Sequence, residues 1–281
     1  MVMEPRFEEE YSSREVEAAR RVIIDVMQVL ASFSDCLVLV GGWVPDLLIM
    51  DAEVPHVGSI DVDLALDTEK LMDGRYADML ELLLATRRYK QGARGFQLVT
   101  SIDLGDGERL IEVDIDFMGA ADANTEKNNP KRLDQFRLLQ SDGCAAAFYA
   151  PMNQTLSGRM ANGAENSVSI RIASIPDFLI MKAFALNGRD KPKDAYDICY
   201  CLDNYADGIP ELAAAWRQRL QDGVKEVKLA TGYLNEKFKS VDAYGPQQVV
   251  EFHSSNSPDE REQQARRAYE LVRSFLASIT K

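Results

Sequence analysis

The sequence predicts an α/β (α+β) fold, with a mixed β-sheet core flanked by helices and a helical region at the C-terminal end. Three observations predict it. Short β-branched runs alternate with amphipathic helical stretches over the first 172 residues. Two of those runs, residues 60–66 and 109–118, carry acids on alternate positions, the period of a strand. From Ser174 onward the spacing is helical almost throughout. The expected division is 1–172 for a sheet domain and 173–281 for a helical one.

The elements follow in chain order. Residues 12–33 place Val16, Ala19, Ile23, Val26, Val29 and Leu30 at three- and four-residue steps, an amphipathic helix. Residues 36–41 form an apolar strand, which Gly41-Gly42 turns into a short helix through Leu48. Residues 60–66 read as a strand, and 75–86, with Met79, Leu82 and Leu83, as a helix. Residues 95–102 and 109–118 are consecutive strands joined by Asp103-Leu104-Gly105-Asp106-Gly107, a hairpin turn by composition. The polar stretch from Gly119 to about Lys131 reads as a loop or lid. Residues 144–172 alternate strand-like runs with Asn-Gly and Ser-Gly turns. Ser174-Ile175-Pro176-Asp177 starts a helix, with Ser as N-cap, Pro in the first turn and an acid after it. That helix should run to Leu186, with Gly188 ending it and Pro192 opening the next through about Leu202. Residues 210–238 and 258–279 are helical by pattern.

A net charge of −13 over 281 residues argues against a protein whose whole surface grips nucleic acid. A local footprint is a different matter: Arg87, Arg88, Lys90 and Arg94 cluster around Tyr89, as a solvated turn or a basic patch. The four cysteines, Cys36, Cys144, Cys199 and Cys201, lack metal-like spacing and read as buried, reduced residues of a cytoplasmic protein. No uninterrupted apolar run is long enough to span a membrane, and residues 1–6 do not open a signal peptide.

The chemistry concentrates in Val57-Gly58-Ser59-Ile60-Asp61-Val62-Asp63. On a strand, Asp61 and Asp63 face the same way. Burying two repelling carboxylates costs roughly several kcal/mol unless a cation lies between them. A hard divalent ion such as Mg²⁺, or Mn²⁺ in its place, resolves that conflict. Gly58 and Ser59 offer backbone N–H groups and a hydroxyl that suit phosphate. Glu112, Asp114 and Asp116 share one face of the later strand. Lys182 interrupts an apolar helix, either snorkelling along it or presenting a cation to phosphate, and Arg189 follows at i+7. Asp194 and Asp197 form an i, i+3 acid pair that also suits a helix start. The turn at 188–192 should fold the second helix back, so that Asp194 approaches Lys182 and Asp197 pairs with Lys193 or Arg189. His56, beside a turn, reads as a polar surface residue, Trp43 as core, and His253 carries no signal.

An apolar strand, Gly-Gly, Gly-Ser-x-Asp-x-Asp and an acid on a later strand together resemble the nucleotidyltransferase superfamily of the DNA polymerase β type. Gly41 to Leu48 resembles the opening of aminoglycoside nucleotidyltransferases and of AbiEii-type abortive-infection toxins. Met181 to Asp197 resembles the helical Lys…Arg…Lys-Asp-x-x-Asp motif of the AbiEii group, and the matched motifs span residues 37–202. The chain departs from that group at Val57, where AbiEii-type proteins usually place an Arg. The resemblance implies a Mg²⁺-dependent transfer of a nucleoside monophosphate from an NTP to a hydroxyl of RNA (a tRNA end), protein or a small molecule. The protein would then be a toxin with a possible antitoxin partner. It implies Asp61, Asp63 and Asp116, with Asp114 as the alternative, as metal ligands. Gly42, Gly58, Ser59, Lys182 and Arg189 would bind nucleotide, and Lys182 and Asp194 would join the catalytic set. Two rival functions are a small-molecule modifier of the aminoglycoside kind and a catalytically silent NTP-binding regulator.

Overall fold

Alternating apolar residues in the first half build one mixed sheet. The computed structural model describes residues 5–71, 74–120 and 137–280. It divides into two units. The sheet unit comprises Ser12–Val44 and Gly58–Ser174; the helical unit comprises residues up to Tyr11, Pro45–Val57 and those from Ile175 onward. The two short N-terminal pieces thus belong with the helices.

In the sheet unit the strands are β1 (Leu37–Val40), β2 (Val62–Leu66), β3 (Lys90–Gln91), β4 (Gln97–Ile102), β5 (Ile111–Gly119), β6 (Leu139–Gln140), β7 (Met152–Arg159) and β8 (Glu165–Ile172). Their order is β3-β4-β5-β2-β1-β8-β7, with β6 also paired to β5. β2 is antiparallel to β1 and parallel to β5, while β4–β5 and β7–β8 are antiparallel hairpins. The central strands β1 and β2 are apolar because both their faces are covered, and Val38, Leu39, Val62 and Leu64 are fully buried. Helix α1 (Ser13–Val29) lies against β5, β7 and β8 through Val22, Ile23 and Val26. Ser12 caps it, accepting from the Glu15 N–H. Helix α2 (Trp43–Leu48) follows β1, and α3 (Arg75–Ala85) buries Met79, Leu80 and Leu83.

The helical unit contains α4 (Ile175–Gly188), α5 (Pro192–Asn204), α6 (Gly208–Gln221), α7 (Lys225–Lys237), α8 (Tyr244–His253) and α9 (Pro258–Ile279). Pro192 opens α5 as the spacing predicts. The helical unit departs from the expected elements at two places. The helical pattern over 210–238 breaks into α6 and α7, because Gly223 takes a left-handed conformation (φ +76°) between them. α8, unforeseen, packs on α5 and α9. Asp177, read as a helix-start acid, is also fully buried and accepts from Arg219 Nε and Nη2 at 2.5 and 2.9 Å, tying α6 to α4. Trp43 and the four cysteines are buried as expected. Most of the polar stretch read as a loop or lid lies outside the described residues.

Candidate functional site

The first cluster is in the sheet unit. β2 begins at Val62, so Asp61 stands one residue before the strand and Asp63 within it. The parallel register sets Asp63 level with Asp116, and continuing it back by one residue sets position 61 level with 114. Residues level in register point to the same face, so four carboxylates converge there. β4 adds Gln97, which pairs with Asp116 in register and donates from Nε2 to Asp116 Oδ1 at 3.0 Å. Ser59 Oγ donates to Asp61 Oδ1 at 2.5 Å, and the Trp43 indole N–H donates to the Asp61 carbonyl at 2.7 Å. Gly41, at φ +72°, admits no side chain: a Cβ there would lie 2.1 Å from Asp63 Oδ2. Gly58 likewise takes a positive φ of +75°.

Asp116 is buried, and its carboxyl is pushed up to about 6. Burial is the main cause; the charges of Asp61 and Asp114 add to it, and the Gln97 amide and Arg94 oppose it. Among the described residues no three His, Cys, Asp or Glu side chains are arranged to hold a metal ion. The donor chemistry nevertheless fits a hard divalent ion: every acidic donor is an oxygen, and the surrounding negative charge already raises Asp116.

The second cluster is in the helical unit. Lys182 on α4 donates from Nζ to Asp194 Oδ1 at 2.7 Å, and lies 2.7 Å from Asp197 Oδ2 without hydrogen-bond alignment. Arg189 grips both Asp194 oxygens, from Nε at 2.7 Å and Nη2 at 2.9 Å. Lys193 Nζ donates to Asp197 Oδ1 at 2.8 Å. Asp194 and Asp197 are fully buried. Burial opposes their ionisation, yet Lys182 and Arg189 hold Asp194 down to about 2. Against the same burial, Lys182 and Lys193 hold Asp197 well below the carboxylate range. Burial also works against the Lys182 charge, and Asp194 and Asp197 overcome it, raising its pKa.

His56 corrects the sequence reading. It is buried, with Nε2 2.9 Å from Asp197 Oδ1 and its ring against Tyr196 and Tyr200. Burial and the Lys193 charge lower it to about 4, against the pull of Asp197. Around Tyr89, Arg88 reaches Asp25 Oδ2 at 3.0 Å, and the Tyr89 hydroxyl donates to the same carboxylate.

The structure therefore brings Asp61, Asp63, Asp114 and Asp116 to one face of the sheet, and Lys182, Arg189, Asp194 and Asp197 into one helical network. Sequence reasoning passed over Gln97, foresaw the Lys193–Asp197 pair but not its burial, and placed His56 at the surface. Gln97 was visible as a polar residue inside an apolar strand, and Lys193 as the i, i+4 partner of Asp197. His56 gave no local signal, because its partner lies 141 residues away.

The family model described as nucleotidyl transferase AbiEii toxin, type IV TA system, matches residues 26–277. No curated protein matches the chain. Among solved structures, JHP933 from Helicobacter pylori aligns at 12% identity with a TM-score of 0.49, over 96% of this chain and 94% of that one. An antigenic nucleotidyltransferase-like protein from Paracoccidioides brasiliensis aligns at 18% identity with a TM-score of 0.36, over 77% of this chain and 94% of that one.

Proposed function

The chain belongs to the AbiEii nucleotidyltransferase toxin family of type IV toxin–antitoxin systems, and on that premise we propose that it moves a nucleoside monophosphate from an NTP to an acceptor hydroxyl. The observation that carries the proposal is the register that aligns Asp63 with Asp116 beside Asp61. Asp61, Asp63 and Asp116, with Asp114 as the alternative third ligand, would hold Mg²⁺. Bound there, the ion supplies charge neutralisation to the triphosphate and to the attacking and leaving oxygens.

The chain's own residues contribute the rest. Ser59 Oγ and Gln97 Nε2 each hold one oxygen of Asp61 and Asp116, which fixes the rotamers of both carboxylates. Gly41 keeps the backbone bare above Asp63, and Gly42, Gly58 and Ser59 would offer backbone N–H groups to phosphate oxygens. With no cation beside it, burial and the neighbouring acids push the Asp116 carboxyl up to about 6; a bound ion would favour its ionised form, the form a ligand needs. Lys182 and Arg189 would bind nucleotide phosphate, and Asp194, which touches both, would orient them. The Arg189 side chain is half exposed and well suited to reach a ligand, whereas Lys182 is nearly covered.

Family membership also implies an antitoxin, and a cytoplasmic location follows from the need for NTPs. Among the described residues no helix is long and apolar enough to cross a membrane. The acceptor class is RNA or protein. A small-molecule acceptor and silent NTP binding are the competing outcomes. The test is incubation with each labelled NTP and Mg²⁺ in a cell extract. Label on a macromolecule supports the proposal, label on a metabolite supports the small-molecule reading, and NTP binding without transfer overturns catalysis.

A further inference from the structure

The helical unit contains an uncharged histidine where its charged network meets the segment that leads into the Gly-Ser turn. Four hydrogen bonds join Val54–Val57 to α5. The Tyr200 hydroxyl donates to the Val54 carbonyl at 3.0 Å. The His56 N–H donates to the Tyr200 hydroxyl, and the Val57 N–H to the Tyr196 hydroxyl. The His56 ring completes the set at Asp197. Residues 196, 197 and 200 occupy one side of α5, at i, i+1 and i+4, so a single helix side holds Val54, His56 and Val57.

The ring's protonation follows from its surroundings. Burial and Lys193 keep the imidazole neutral at pH 7. A neutral ring facing an ionised carboxylate must present N–H, so Nε2 carries the proton and donates to Asp197 Oδ1. Asp197 Oδ1 then receives two donors, His56 and Lys193, while Oδ2 faces Lys182. That arrangement fixes the carboxylate plane. The plane in turn decides how the Lys182 ammonium is shared between Asp197 and Asp194.

We propose that His56 is a positioning residue for nucleotidyl transfer: through its Nε2–H it orients Asp197, and through Asp197 the Lys182 ammonium. This rests on the transfer reaction proposed above. Removing the donor leaves the Asp197 plane free to turn, so the Lys182 ammonium, which already donates to Asp194, loses its fixed place opposite Asp197 Oδ2. Transfer should then slow with little change in how tightly the NTP is bound, because orientation has its effect at the transition state.

The experiment compares wild type, His56→Leu and His56→Gln in steady-state transfer from labelled NTP. Gln is chosen because its amide N–H reaches about as far as Nε2. His56→Leu should lower kcat by about a hundredfold with KM for NTP within about threefold, and His56→Gln should recover most of the loss. Equal kcat in wild type and His56→Leu overturns the inference. So does a loss that His56→Gln fails to rescue, which would make the ring's shape, not its donor, the cause. If wild type transfers nothing, the reaction itself is overturned and this role falls with it. If His56→Leu does not fold, ¹⁵N spectra of the wild-type imidazole at pH 7 decide. A neutral ring protonated on Nε2 supports the inference; a doubly protonated ring, or one protonated on Nδ1, overturns it.

Discussion

Asp116 on β5 and Asp197 on α5 are both buried aspartates, yet the first is pushed up to about 6 while the second is held well below the carboxylate range. Both suffer desolvation as the leading influence. The difference lies in what the chain places around them. Asp197 receives Lys182, Lys193 and His56 from its own unit. Asp116 receives an amide from Gln97, the more distant help of Arg94, and the opposition of Asp61 and Asp114. The helical network brings its own cations; the sheet cluster is built so that an added cation would be welcome. Family membership gives that contrast a functional sense, since the proposed transfer from an NTP would bring both phosphate and metal to the acids.

The sharpest way to break the comparison is to remove a sheet carboxylate. Asp61→Asn or Asp63→Asn should lower nucleotidyl transfer by about a thousandfold or more while leaving the metal-free thermal midpoint unchanged or higher. Labelled-NTP assays and melting curves in EDTA check both halves, and full activity in either variant contradicts the metal-ligand assignment. The same change in the helical unit should do the reverse. Asp197→Ala leaves two buried lysines short of a counter-charge and should cost about 3–5 kcal/mol in denaturant unfolding. A surface hairpin pair would have cost far less.

Asp116→Asn removes a carboxyl whose ionised form the fold disfavours, so without metal it should stabilise the protein at pH 7 by about 1–3 kcal/mol. Unchanged stability would show that the neighbouring acids do not press on it. The smallest effect is the pH profile. Asp116, raised in the fold, contributes stability that is present below its ordinary value and is lost as pH rises through about 6. His56, lowered in the fold, contributes stability that is present above its ordinary value and is lost as pH falls toward about 4. The two trends oppose each other between pH 6.5 and 4. His56→Leu should therefore tilt the metal-free midpoint upward on acidification, and Asp116→Asn should tilt it downward. Parallel curves for both variants would contradict the opposed assignments.

Much of this was legible in local sequence. The Gly-Gly turn, the Asp-x-Asp strand and the Pro192 helix start are short-range signals, and β1, β2, β5 and α5 appear where those signals place them. The face shared by Glu112, Asp114 and Asp116 was also legible, but not which of them meets Asp63. That depends on the β2–β5 register, which no local pattern encodes. The Lys182–Asp194 meeting was readable because both flank one tight turn. The place of His56 was not, nor was the assignment of Pro45–Val57 to the helical unit, because both depend on contacts far apart in the chain. α8 escaped notice because its ten residues carry few apolar positions at helical spacing, and its burial comes from α5 and α9.

The interleaving of the two units has a consequence for how the protein is made. A ribosome delivers every residue of the sheet unit by Ser174, so that unit can close while the rest is still being synthesised. The early pieces of the helical unit must wait: His56 meets Asp197 only after 141 further residues have emerged. The charged network is thus among the last features to assemble, and it cannot form in a nascent chain halted at Ser174. An interrupted translation product would hold the aspartates of the sheet but neither Lys182 nor Asp194, and on the roles proposed for them it would lack part of the machinery for transfer.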